Sequence, residues 1–123
     1  MKQLEIVIAE DSVAMMVLIK RLLSVITGFV VVGTATNGNE AIQLVKSLKP
    51  HVLVLDFSMP VKDGLEVIQE IRKDDSSTII IVFTADPSPF IRDICLKAGA
   101  NFFLDKSKIM ELIEICNQIL LAS

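Results

Sequence analysis

The sequence predicts a doubly wound α/β domain, a five-stranded parallel sheet covered by helices on both faces. Two observations carry the prediction. Short apolar runs rich in Val and Ile alternate five times with longer stretches of helical period. Such alternation implies a parallel sheet, because right-handed crossovers put helices on each side of it. The polar residues capable of chemistry, moreover, fall just after the apolar runs rather than inside them. At 123 residues the chain has the length of one domain, 1–123, able to bury a core without staples.

The first strand is Leu4–Ala9, whose run Ile6-Val7-Ile8 stops at two adjacent acids, Glu10 and Asp11. Ser12 follows with the side chain of a helix N-cap, and a helix is expected over 12–26. On a wheel at about 100° per residue, Met15, Leu18, Ile19, Leu22 and Ile26 make its core face, with Lys20, Arg21 and Ser24 opposite. Val13 and Val17 fall in that polar arc, and Ala14 and Met16 at its margins. A second strand spans 30–35, where "GTATNG" reads as a strand end and a turn, and a helix follows over 39–48. His51, read as a solvated surface residue, precedes the third strand, Val52–Leu55. A helix over 64–73 and a polar connection lead to the fourth strand, 79–83. In the next helix, 89–98, Phe90, Ile91, Ile94 and Ala98 share the inner side and Leu96 points to solvent. The fifth strand, 100–104, sends Phe102 and Phe103 to opposite faces, and the last helix covers 107–121.

Composition narrows the function classes. With 52% hydrophobic and 22% charged residues the chain is a well-filled globule. No apolar run reaches the roughly 18 residues of a membrane span, and the acid at Glu5 leaves no pattern of a cleaved leader, so a cytoplasmic location is expected. Cys95 and Cys116 have neither metal-ligand nor redox-pair spacing and read as buried thiols. A net charge of −3 without a basic block argues against nucleic acid as a direct partner.

The ends of the strands hold the chemistry. Glu10 and Asp11 follow the first strand, Asp56 the third and Thr84 the fourth, while Lys106 comes two residues after the fifth. In a parallel sheet all of these lie on one edge, where open α/β sheets bind ligands. Three carboxylates beside one hydroxyl and one ammonium repel unless a cation sits among them, and hard oxygen ligands favour Mg²⁺.

These residues stand in "IVIAEDS", "HVLVLDFSMPVKDG", "IIIVFTA" and "AGANFFLDK", and with them the chain resembles the receiver domains of two-component response regulators over essentially its whole length. The resemblance implies a flavodoxin-like sheet of order 2-1-3-4-5. It implies Asp56 as the phosphoacceptor; Asp11, Asp56 and the carbonyl of Ser58 as holders of Mg²⁺, with Glu10 supporting the metal; and Thr84 and Lys106 gripping the phosphoryl oxygens. It also implies a sensor histidine kinase or phosphotransfer protein as donor, a downstream effector protein as output, and a switch in which Phe103 turns inward as Thr84 moves. Val13, Ala14, Met16 and Val17, an apolar strip with a basic rim one turn from the acids, are expected to dock the kinase.

The chain departs from the commonest family pattern at Ser107, where the family often has a proline after its active-site lysine. Three other functions were weighed. An aspartyl-phosphate phosphatase needs a second acid two residues beyond the nucleophile, and that position is Ser58. A nucleotide-binding loop at 33–38 would need Lys and Ser or Thr where Asn39 and Glu40 stand. A degenerate receiver acting only as an interaction module is opposed by the intact set Asp11, Asp56, Thr84 and Lys106.

Overall fold

The computed structural model describes residues 3–123. Its elements run β1 (Leu4–Ala9), α1 (Val13–Ser24), β2 (Phe29–Ala35), α2 (Gly38–Leu48), β3 (Val52–Leu55), α3 (Gly64–Arg72), β4 (Ile79–Thr84), α4 (Pro89–Ala98), β5 (Phe102–Asp105) and α5 (Ile109–Ala122). The five strands form one parallel sheet in the order β2-β1-β3-β4-β5, as expected. The chain winds away from β1 in two directions, so a crevice opens at the carboxyl ends of β1 and β3.

Strand alternation splits the core into two layers. Val7, Ala9, Leu53, Leu55, Ile80 and Val82 face α2, α3 and α4, packing on Ala41, Ile42, Val45, Val67, Ile68, Ile71 and Cys95. Ile6, Ile8, Val52, Val54, Ile81 and Phe83 face α1 and α5, packing on Ile19, Leu23, Leu112, Cys116 and Ile119. Phe103 joins the first layer and Phe102 the second, so the two rings do lie on opposite faces. Both cysteines are buried free thiols, and burial pushes Cys95 up to about 11 and Cys116 up to about 12.

The helix starts follow from local capping. The side chains of Ser12, Asn37, Asp63 and Ser88 accept from backbone N–H groups in the first turns of α1, α2, α3 and α4. At α3 the cap is reciprocal, because Glu66 also accepts from the Asp63 N–H. α5 begins at Ile109 rather than 107, because Asp105 takes the backbone N–H of Ser107 on its side chain and that of Lys108 on its carbonyl, closing a turn first. β5 begins at Phe102 rather than 100, since the Asn101 side chain accepts from Ile80 N–H in place of a strand carbonyl.

The placements expected for Leu18, Met16, Phe90, Leu96 and His51 differ in the structure. Leu18 is 42% exposed, and Leu23 is buried in its place. Met16, expected on the outer strip, is half-buried and packs against the core with Met15. The first half of α1 is apolar nearly all round, so periodicity alone does not fix which arc meets the sheet; contact with the sheet centres it on Ile19 and Leu23. In α4 the buried arc centres on Cys95. Leu96 therefore packs against the core beside it, and Phe90, expected inside, is 71% exposed. His51 is half-buried rather than solvated: its Nδ1 accepts from Glu5 N–H at 2.9 Å, tying β1 to the start of β3.

Two glycines seat the loop between β3 and α3. A side chain at Gly38 would run into the Lys62 carbonyl, and a Cβ on Gly64 would lie 2.9 Å from the Phe57 Cα. Gly38 N–H donates to Pro60 O and Gly64 N–H to Phe57 O, so the loop is pinned at both ends. Between the pins Lys62 N–H donates to Pro60 O across Val61, whose φ of 74° is a strained value for a β-branched residue.

Candidate phosphoacceptor and metal site

Inter-strand hydrogen bonds continue one residue past the strands and set the site. Glu10 N–H donates to Ala35 O, Asp56 N–H to Ala9 O and Lys106 N–H to Thr84 O, at 2.8–2.9 Å. Each functional residue is thereby aimed by its neighbouring strand rather than by a mobile loop. Glu10, Asp56 and Thr84 are buried, Asp56 only 4% exposed, whereas Asp11 is open to solvent. Ligand oxygens of Glu10, Asp11 and Asp56 all lie within 4.8 Å of one another.

Lys106 sits across the acids, its Nζ 2.7 Å from Glu10 Oε1 and 3.2 Å from Asp56 Oδ2. Glu10 Oε2 accepts from Ser12 N–H and Asp56 Oδ1 from Ser58 N–H. Glu10 Oε1 is buried and, beyond the charge of Lys106, has no hydrogen-bond donor among the described residues. One ammonium thus pairs with two of the three carboxylates, Glu10 and Asp56. Burial first, then the charge of Glu10, pushes Asp56 up to about 6 from 3.8, against the pull of Lys106 and of the Ser58 amide. Burial works against the Lys106 charge, but the contact with Glu10 and the charge of Asp56 outweigh it and raise its pKa.

A divalent cation fits this donor set. A hard ion suits a close group of three carboxylates, two of them buried, and the exposure of Asp11 leaves room for retained water. Ser58 directs its side chain to solvent, which leaves its carbonyl as the group of interest. Thr84 Oγ1 accepts from Asp86 N–H at 3.1 Å on the β4–α4 loop, on the same edge of the sheet. Every strand-end residue expected at the site is therefore on one edge, whereas Phe103 lies within the core layer, half-buried. Of the outer strip of α1, Val13 at 78% and Val17 are exposed, as is Ala14, whereas Met16 is turned inward.

What the sequence did not disclose is the Glu10–Lys106 pair. The resemblance implies Glu10 as support for the metal and Lys106 as a grip on the phosphoryl group; that the two also bind each other depends on side-chain reach across two strands, which no spacing encodes. The Lys106–Ser107 bond is trans, as are all peptide bonds among the described residues.

The fold and site define a class, and comparison with known proteins gives the same one. Residues 6–117 match the response regulator receiver domain. The chain belongs to this family of two-component signalling domains. It is 34% identical over 112 residues to the chemotaxis protein CheY of Thermotoga maritima, covering 88% of this chain and 92% of that protein. It is 34% identical over 99 residues to the transcriptional regulatory protein YvfU of Bacillus subtilis, covering 80% of this chain but 50% of that one. Among solved structures, a LuxR-family response regulator from Aurantimonas superposes with a TM-score of 0.91 at 26% identity, covering 98% of this chain and 87% of that one. The response regulator domain of Thermotoga maritima CheB gives 0.88 at 26% identity, over 97% of both chains. The chain thus spans nearly all of one relative and about half of another. No helix among the described residues is long and apolar enough to cross a membrane.

The raised Asp56 pKa has a consequence for stability. A carboxyl whose folded pKa lies above its unfolded value favours the fold while protonated, and that contribution is lost as pH rises through the folded pKa. Without divalent metal, Asp56→Asn is expected to stabilise the protein at pH 7.5 by about 1–2 kcal/mol, with the gain vanishing below about pH 4. Urea denaturation of both proteins across that range checks it.

Proposed function

We propose that this domain accepts a phosphoryl group on Asp56 from a phosphohistidine of a sensor histidine kinase or phosphotransfer protein, in a Mg²⁺-dependent reaction, and thereby changes its surface for a downstream effector protein. The observation that carries the reading is the convergence of Glu10, Asp11 and Asp56 within 4.8 Å, with Lys106 in contact with two of them.

Asp11, Asp56 and the Ser58 carbonyl would hold the metal, and Glu10 would support it through the acid cluster. When bound, the metal offsets the negative charge that otherwise keeps an anionic phosphoryl group away from a carboxylate. Asp56 is the nucleophile: its carboxylate forms the bond to phosphorus as the phosphorus–nitrogen bond of the donor breaks, and the departing imidazole takes up a proton from solvent. Lys106 keeps Asp56 ionised and can turn from Glu10 toward a phosphoryl oxygen. The Thr84 hydroxyl reaches another oxygen from β4. Drawing Thr84 toward the phosphoryl group leaves room beside β4, into which Phe103 turns, biasing the surface of α4, β5 and α5 between two arrangements. The chain acts as one receiver unit in the cytoplasm.

Intact-mass measurement after treatment with acetyl phosphate and Mg²⁺ tests the chemistry. The wild type is expected to gain one phosphoryl group, and Asp56→Asn or excess chelator to abolish the gain; undiminished labelling in either would overturn the assignment.

The exposed strip Val13, Ala14 and Val17 beside the acids, with the half-buried Met16 at its margin, is the proposed kinase-docking surface. Replacing Val13 and Val17 together by Asp is expected to slow transfer from a phosphohistidine donor protein at least about tenfold, since each change removes apolar contact worth about 1 kcal/mol or more. Labelling by acetyl phosphate should stay nearly unchanged. Equal transfer rates from the donor protein would place docking elsewhere.

A further inference from the structure

The guanidinium of Arg72, the last residue of α3, reaches three acceptors on two segments, the α3–β4 and α4–β5 connections. Its Nε and Nη2 both donate to Gly99 O, at 3.1 and 2.9 Å; Nη1 donates to Asp75 O at 3.1 Å; and Nη2 also donates to Asn101 Oδ1 at 3.0 Å. Asn101 in turn binds Ile80 through both side chain and backbone, which joins the cluster to the start of β4. The fork therefore ties the ends of α3 and α4 to the beginnings of β4 and β5. Gly99 is built for the contact: its φ is 120°, and a Cβ there would lie 2.9 Å from Arg72 Cγ and Nε. The end of α4 is closed by Gly99 N–H donating to Leu96 O and Ala100 N–H to Cys95 O, a Schellman arrangement whose outermost carbonyl Arg72 occupies.

The rest of α4 is lightly held. Cys95 is its single buried residue, whereas α2 and α3 each bury four. Its first turn carries Phe90 in the open and follows Thr84 through the short exposed segment 85–87. The helix thus has a loose end beside the site and a fixed end at Arg72.

We propose that Arg72 is the pin on which α4 turns: it holds the carboxyl end of the helix against β4 and β5, so that displacement at Thr84 is taken up by the amino end. The link to Thr84 rests on the receiver reading above; the pin itself does not. A planar fork with several donors suits three acceptors at once, and lysine, with one rotatable ammonium, can serve them only in part.

Amide hydrogen exchange in unlabelled, metal-free protein tests the pin. Arg72→Met should speed exchange at Ala98, Gly99, Ala100 and Asn101 at least about tenfold, the loss expected for a charge-assisted hydrogen bond, while amides of α2 keep their rates. Arg72→Lys should fall between, and serves alone if the Met variant does not fold. Unchanged rates at 98–101, or equal acceleration throughout the sheet, would overturn the proposal. In phosphorylated wild type, amide shifts should be larger at Ile91–Asp93 than at Lys97–Gly99, and in Arg72→Met the difference should disappear. The same profile in both labelled proteins would overturn the turning role. Failure of the wild type to label would instead refute the receiver reading, with the exchange result still deciding the pin.

Discussion

Three carboxylates crowd together at the carboxyl edge of the sheet with one ammonium paired to two of them, and the arrangement is set from the backbone. Parallel pairing aligns β1 with β3, and hydrogen bonds that run one residue beyond each strand place Glu10 and Asp56 side by side. The backbone of neither acid can shift without breaking a bond to its neighbour strand. Burial first, and then a repulsion from Glu10 that Lys106 relieves only in part, push the Asp56 pKa up to about 6. A site so arranged is unfavourable for stability and favourable for a divalent ion, the trade expected where a functional group is held against its own preference.

The remainder of the fold serves to keep that edge rigid while leaving its margins adjustable. Two apolar layers clamp β1, β3 and β4, the strands that end in the acids and Thr84. Gly38 and Gly64 allow the loop after β3 to lie close against α2 and Phe57, and the Ser58 N–H in that loop donates to Asp56 Oδ1. Against this stands α4, with one buried side chain and a clamp at its far end. A rigid floor and a lightly held helix beside Thr84 are what a two-state surface requires, since a stimulus at the site can move only what the core does not fix.

Much of this was legible in the sequence, for identifiable reasons. Buried parallel strands read as continuous apolar runs, and five of them between helical stretches imply a doubly wound parallel sheet, whose strand order is implied by the resemblance to receiver domains. The functional residues were legible because they sit where those runs stop, so that locating the strands located Glu10, Asp11, Asp56 and Thr84 as well. Helix faces were less legible. In α1 apolar residues occur almost all round, so Leu18 was placed inside and Leu23 overlooked; in α4 a small buried cysteine, not the large Phe90, marks the core side. Long side chains were least legible: the reach of Lys106 to Glu10, of Arg72 to Gly99 and of Glu5 N–H to His51 crosses between elements and leaves no periodic trace.

The crowding of Glu10, Asp11 and Asp56 makes a place suited to a divalent ion. Carbon-13 NMR of the aspartate carboxyl groups, followed with pH before and after saturation with Mg²⁺, reads that directly. Asp56 should titrate near pH 6 in the metal-free protein and at least about one unit lower with Mg²⁺ bound, because a nearby cation favours the ionised form. An Asp56 titration in the ordinary carboxylate range that Mg²⁺ leaves unmoved would contradict it.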